Sequence, residues 1–152
     1  MFILSNALPS WGVLKVDGKT LAEGGLWQDC GYIGTWTCVF RGFSCSGLPS
    51  PLMGECIKLI MTRVFIILAC LVSAFGATNL LQVARSGGNN PQYIMSSKVC
   101  AAVSVLCGIL SISLGISWAL YGGVATLGAA AALGIVATVL SLFSTVVAFM
   151  IR

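Results

Sequence analysis

From Val99 to Ile151 the chain runs 53 residues without one charged side chain. As a single helix rising about 1.5 Å per residue this run would be roughly 80 Å long, more than twice the hydrocarbon thickness of a bilayer, so it must fold back on itself. Gly122-Gly123 is the natural break. It predicts one helix near Val99 to Tyr121 and another near Val124 to Ile151. A third span is expected near Leu59 to Val83, since no charge lies between Val64 and Ala84. Only 8% of the residues are charged and 58% are hydrophobic, whereas a soluble domain carries about 25% charge. The solvent for such a chain is a lipid bilayer.

The acids and bases are unevenly placed. Asp17, Glu23, Asp29 and Glu55 all precede the first long span, while the loop between the first two spans carries Arg85 and Lys98 and no acid. Basic residues in short loops favour the cytoplasm. Lys15, Lys19 and Arg41 lie in the opposite segment, so the count of bases alone does not decide orientation. No basic cluster is dense enough for nucleic acid. The chain has no histidine, no paired-carboxylate pattern, no calcium-loop spacing and no phosphate-binding glycine loop. These absences argue against an enzyme and against a cofactor or metal.

Residues 1–57 read as a small β segment and residues 58–152 as the helical part. Asp17-Gly18 can adopt the positive φ angles of a type I′ turn, which makes residues 12–23 a hairpin. A second hairpin is expected with arms near Leu26 to Tyr32 and Trp36 to Phe40, because Cys30 and Cys38 are symmetric about Gly34. Facing strands bring two Cα atoms within the roughly 7 Å that a disulfide needs. Cys30, Cys38, Cys45 and Cys56 allow three connectivities, among which sequence alone does not choose. Cys30 with Cys38 and Cys45 with Cys56 is the favoured one. Residues 42–54, with Pro49 and Pro51, read as an irregular loop, with helix resuming near Glu55. Residues 86–98, beginning Ser-Gly-Gly-Asn-Asn-Pro, read as a short turn.

Within the spans, Ser104, Gly108, Ser111 and Gly115 recur every three or four residues and align on one helix face, where small side chains allow close backbone approach. Packing inside the bundle is the plainer use of that face, and lateral packing between molecules is the other. Gly128 with Ala132, and Ala130 with Gly134, give the last helix similar faces. Arg63, five residues after Lys58, is expected to snorkel to water. Cys70, Cys100 and Cys107 read as small hydrophobes, with Cys100, at the start of its expected helix, a palmitoylation candidate.

By residue type alone Trp11, Trp27 and Trp36 are interfacial anchors. Their order is more specific. Ala7-Leu8-Pro9-Ser10-Trp11, Gly25-Leu26-Trp27-Gln28-Asp29-Cys30 and Cys38 are followed by Lys58 at the entry to a membrane helix and Ser117-Trp118 at the end of the next. The set resembles the claudin family, whose pattern is Ala-Leu-Pro-x-Trp, Gly-Leu-Trp-x-x-Cys and Cys. The likeness spans residues 7–151, with its specific core from Ala7 to Cys38.

The resemblance implies a claudin-like transmembrane helical bundle, three full spans here against four in the family, bearing a small extracellular antiparallel β-sheet. Trp11, Gly25, Leu26, Trp27, Cys30 and Cys38 would be the signature residues that hold the sheet on the bundle. Together with the cysteines, the resemblance puts residues 1–57 outside the cell and residues 86–98 in the cytoplasm. It implies a plasma-membrane protein of cell junctions that polymerises with itself or related claudins and forms or modifies a paracellular barrier. Calcium-channel gamma subunits and their glutamate-receptor relatives share the Gly-Leu-Trp and cysteine pattern, so an auxiliary subunit of an ion channel is the alternative. A myelin-protein-like tetraspan that organises membrane is a third reading. Family members begin with a complete first span of roughly 20 residues, whereas only Met1 to Leu8 precede Pro9, so most of that span is expected to be missing. The loop near Ala119 to Thr126 is short, Val39 stands where pore-forming relatives often carry a charge, and Phe149-Met150-Ile151-Arg152 lacks a scaffold-binding tail.

Overall fold

The computed structural model describes residues 2–8, 10–45, 49–85, 91–121 and 125–150. The expected break at Gly122-Gly123, the first part of the expected turn at 86–90, Pro9 and the last two residues lie outside them.

Three helices are long and apolar enough to cross a membrane. They are α2 (Ser50–Arg85), α3 (Pro91–Ala119) and α4 (Ala129–Met150), preceded by a short α1 (Phe2–Ala7). Both α2 and α3 begin earlier than expected, and prolines explain why. Pro51 falls in the first turn of α2 and Pro91 opens α3, positions where the missing N–H has no intrahelical partner to lose. At about 1.5 Å per residue the 36 residues of α2 extend about 54 Å, well past a hydrocarbon layer of about 30 Å. Its projecting end carries Glu55 and Lys58, an ion pair at 2.7 Å, and Lys58 Nζ also donates to Ser117 Oγ of α3 at 3.3 Å.

Helix α3 lies between α2 and α4, and α1 touches both α4 and α2. The α2–α3 seam is lined by small and hydroxyl side chains. Ser73 and Ser104 share a hydroxyl–hydroxyl bond at 2.5 Å, Ser111 Oγ donates to the Thr62 carbonyl at 3.3 Å, and Asn79 Nδ2 donates to Ser96 Oγ at 2.9 Å. Gly108 is confined on the other side, since a Cβ there would lie 2.8 Å from Thr138 Oγ1 of α4 and 3.2 Å from the Phe2 ring. The outward faces are instead apolar, with Leu71, Phe75, Leu106, Phe143 and Val147 exposed. In lipid such a distribution is favourable, because tails solvate the large apolar side chains and helices gain by close backbone approach. The Ser104, Gly108, Ser111, Gly115 face is therefore buried within the molecule, where packing inside the bundle, the plainer of its two expected uses, would put it. Cys100 lies ten residues into α3 with its Cβ against Gly76, not at the start of the helix.

At one end of the bundle sits a five-stranded antiparallel sheet. Its strands are β1 (Gly12–Val16), β2 (Lys19–Gly24), β3 (Gln28–Ile33), β4 (Thr35–Phe40) and β5 (Thr126–Leu127), in the order β4-β3-β2-β1-β5. Asp17 and Gly18 take φ of 51° and 76°, as the type I′ reading of the first turn requires. Gly34, at φ 80°, closes the second hairpin and sets Cys30 opposite Cys38.

The fifth strand was not expected. It occupies residues assigned by sequence to the last helix, which starts at Ala129 instead of near Val124. The cause is a close backbone approach: Gly128 N donates to the Trp11 carbonyl at 2.9 Å and Ala130 N to the Ser10 carbonyl at 3.0 Å. These bonds satisfy donors at the helix start that would otherwise be orphaned. A Cβ on Gly128 would overlap the Ser10 carbonyl oxygen.

Candidate functional site

Trp11, Leu26 and Trp27, singled out by sequence, converge where the sheet meets the helices. Trp11, in the link from α1 to β1, is fully buried. Its indole Nε1 donates to the Ser5 carbonyl at 2.8 Å, while its backbone bridges β2 and the α4 entry through Trp11 N to Gly24 O and Gly128 N to Trp11 O, both 2.9 Å. The ring fills a slot between α3 and α4. A Cβ on Gly115 would collide with it, and one on Gly134 would stand 3.7 Å from it. Gly115 is thus small to admit an indole, not a neighbouring molecule.

Gly25-Leu26-Trp27 forms the turn from β2 to β3, closed by Gly25 N donating to the Gln28 carbonyl at 2.9 Å. Leu26 is fully buried beneath it, and Trp27 Nε1 donates to Asn6 Oδ1 of α1 at 2.7 Å. The Cys30–Cys38 bridge crosses β3 and β4 with Cα atoms 4.0 Å apart, and Cys45–Cys56 ties the segment after β4 to α2. Trp36 is half exposed at the far end of the second hairpin and takes no part in the convergence.

Sequence reasoning missed the residue at the centre. Arg63 does not snorkel to water but is 1% exposed. Its guanidinium forks upward into the sheet, Nε donating to the Leu26 carbonyl at 2.6 Å, Nη1 to that of Gly42 at 3.0 Å and Nη2 to that of Arg41 at 3.1 Å. The same head lies 4.8 Å from the Trp27 ring centroid and 5.1 Å from that of Phe43. A buried cation is tolerated when its donors find partners, and carbonyls at both ends of the β3–β4 hairpin accept from three of the five N–H groups. The signal in the sequence was the charge itself, set between Thr62 and Val64 in an apolar helix. Beside it Arg41 pairs with Asp29 and stacks on Trp118 of α3 at 5.1 Å. Among the described residues no group of three His, Cys, Asp or Glu side chains could hold a metal ion. The arrangement is suited to hold a sheet rigidly over a bundle and to present its outer edge.

That edge is β4. All six of its residues, Thr35 to Phe40, are exposed, with Val39 69% and Phe40 65% accessible. Tyr32 and Ile33 extend the apolar surface along β3. No family model matches the chain, and a search of curated proteins found no match.

Closing the nine-residue Cys30–Cys38 loop stabilises the hairpin by about 2.6 kcal/mol on the chain-entropy account. Cys30→Ser is therefore expected to lose most surface delivery in cells, whereas Cys70→Ser, at an unbridged cysteine, keeps most of it. Surface biotinylation of the two variants measures the difference. Equal delivery would show that the bridge does not hold the sheet.

Proposed function

We propose that the chain is a claudin-like membrane protein of cell junctions, which associates side by side through the free edge of its sheet and forms or modifies a paracellular barrier. The observation that carries this reading is the β4 edge, which pairs with no second strand among the described residues. Sheet edges open to water are commonly blunted by charge, proline or a covering segment. Thr35 to Phe40 has neither charge nor proline, is exposed along its whole length, and is held flat over the bundle by Arg63 and the Cys30–Cys38 bridge. Such an edge is suited to pair with another strand, main chain supplying affinity and alternate side chains specificity. Of the signature residues, Trp11, Gly25, Leu26 and Trp27 support the family likeness by their location at the base of that sheet, and Cys30 with Cys38 by bridging its outer hairpin. In this reading the sheet faces the extracellular space, the partners are copies of this chain or related claudins, and the helices hold each copy in the plasma membrane.

Transepithelial resistance tests it. Cells without junctional strands of their own are expected to change resistance on expressing the chain. Val39→Lys places a gatekeeper charge on the edge at an exposed site, and is expected to reach the surface yet leave resistance at baseline. If the unaltered chain leaves resistance at baseline, while it co-purifies with an ion channel and alters gating, the auxiliary-subunit reading replaces this one.

A further inference from the structure

The pairing of β3 with β4 decides which main-chain groups of β4 point outward. In an antiparallel ladder, residue pairs that exchange hydrogen bonds alternate with pairs that do not, and residues of the second kind direct N–H and C=O away from the neighbouring strand. Arg41 N donates to the Trp27 carbonyl at 2.7 Å, so these two residues form a bonded pair. Along the register, Asp29 with Val39 and Gly31 with Thr37 are then bonded as well, whereas Gln28 with Phe40, Cys30 with Cys38 and Tyr32 with Trp36 are not. The 4.0 Å between the Cα atoms of Cys30 and Cys38 agrees, since unbonded pairs approach to about 4.5 Å and bonded ones to about 5.5 Å. Trp36, Cys38 and Phe40 therefore carry the outward N–H and C=O groups of the terminal strand.

The same stretch is symmetric in residue type. From Trp36 to Phe40 it reads aromatic, β-branched, cysteine, β-branched, aromatic, the same from either end. An antiparallel copy of the strand, set with Cys38 opposite the partner's Cys38, matches every outward group of the three residues. Any other antiparallel register leaves at least one of them without a counterpart in the strand. The centred register also sets Trp36 against the partner's Phe40 on one face and Thr37 against the partner's Val39 on the other. Trp36 is 46% and Phe40 65% exposed, so both rings are free to pack, and aromatic rings opposite each other stabilise a strand pair. No charge lies on the strand to repel its copy.

We propose that two copies of this chain join β4 to β4, antiparallel and two-fold symmetric about Cys38, so that one sheet runs through both. The inference rests on the free edge being the contact, as in the functional reading above, and names its partner and register. A contact that uses the same patch on both copies closes at two. The dimer is then the unit, and a fibril built from it repeats through a second contact.

Sedimentation of the full chain in density-matched detergent, over a dilution series, measures the pairing. Trp36→Lys and Phe40→Glu, both at exposed rings, are each expected to weaken the dimer about tenfold, since either one removes both aromatic pairs. The two changes on one chain are expected to recover most of that loss, because the two-fold sets each new ammonium opposite a new carboxylate of the partner. That recovered dimer, unlike the original, should weaken as salt is raised. With parallel strands or another register, position 36 does not meet position 40 and the double variant gains nothing. Unreduced peptide mapping confirms both disulfides in each variant, and if the double variant lacks them an equal mixture of the two single variants decides, expected to form mixed dimers in preference to like ones. An unaltered chain that stays monomeric, single variants that pair as well as it does, or the absence of recovery overturns the proposal. Recovery in a chain that leaves transepithelial resistance at baseline supports the pair and overturns the junctional reading alone.

Discussion

Arg63→Met is expected to destabilise the protein by about 3–5 kcal/mol, the range for removing one partner from a buried charged network. Methionine occupies similar space but offers no donor, so the carbonyls of Leu26, Arg41 and Gly42 lose their partners together. Leu26 is fully buried, so water cannot readily replace the lost bond there. Trp27 and Phe43 lose the cation between them as well. Thermal unfolding in detergent, followed by near-ultraviolet circular dichroism, should show the midpoint falling by roughly 10 °C. Arg63→Lys should recover less than half of the loss, since an ammonium cannot span three carbonyls as the planar fork does. A midpoint within about 2 °C of the unaltered protein would show that the head is in water, where sequence alone had placed it.

Trp11→Ala is the second large effect, expected at about 3–5 kcal/mol from the vacated volume. The cavity would open against Gly115 and Gly134, glycines whose faces were shaped by the indole and which have no side chains to fill it. Trp11→Phe isolates the Nε1 bond to the Ser5 carbonyl, and should cost about 1 kcal/mol for that bond. The test of the slot is a double-mutant cycle. Gly115→Ala alone should be strongly destabilising, because its Cβ meets the ring, and much less so in the Trp11→Ala background, where only the Thr62 Cγ2 contact at 3.1 Å remains tight. Additive effects would mean that Trp11 and Gly115 are not in contact.

These two residues also show how far the sequence was legible. The hairpins could be read because their determinants are local: Asp17-Gly18 at the first turn, and two cysteines symmetric about Gly34 at the second. The spans could be read because charge is excluded from long runs. Their starts could not, since Pro51 and Pro91 read as helix breakers until it is known that they occupy first turns. Strand β5 is two residues long, too short for periodicity, and exists only because α4 is anchored through Gly128 and Ala130 to the Ser10–Trp11 backbone. The role of Arg63 was hidden for the same kind of reason. Its three acceptors are main-chain carbonyls 21 to 37 positions away, and a carbonyl has no letter in a sequence. The small-residue face was visible as a pattern, but only the neighbours of Gly108, Ser111 and Gly115 show that it is occupied from within.

The central claim is that an open β4 edge, held rigid by the bundle, joins copies of this chain at cell contacts. Freeze-fracture replicas of strand-free cells expressing the chain measure this most directly. The account predicts continuous intramembrane fibrils where two expressing cells touch, and their loss with Val39→Lys at equal surface density. Dispersed particles without fibrils for the unaltered chain, at matched expression and with both disulfides formed, would contradict it.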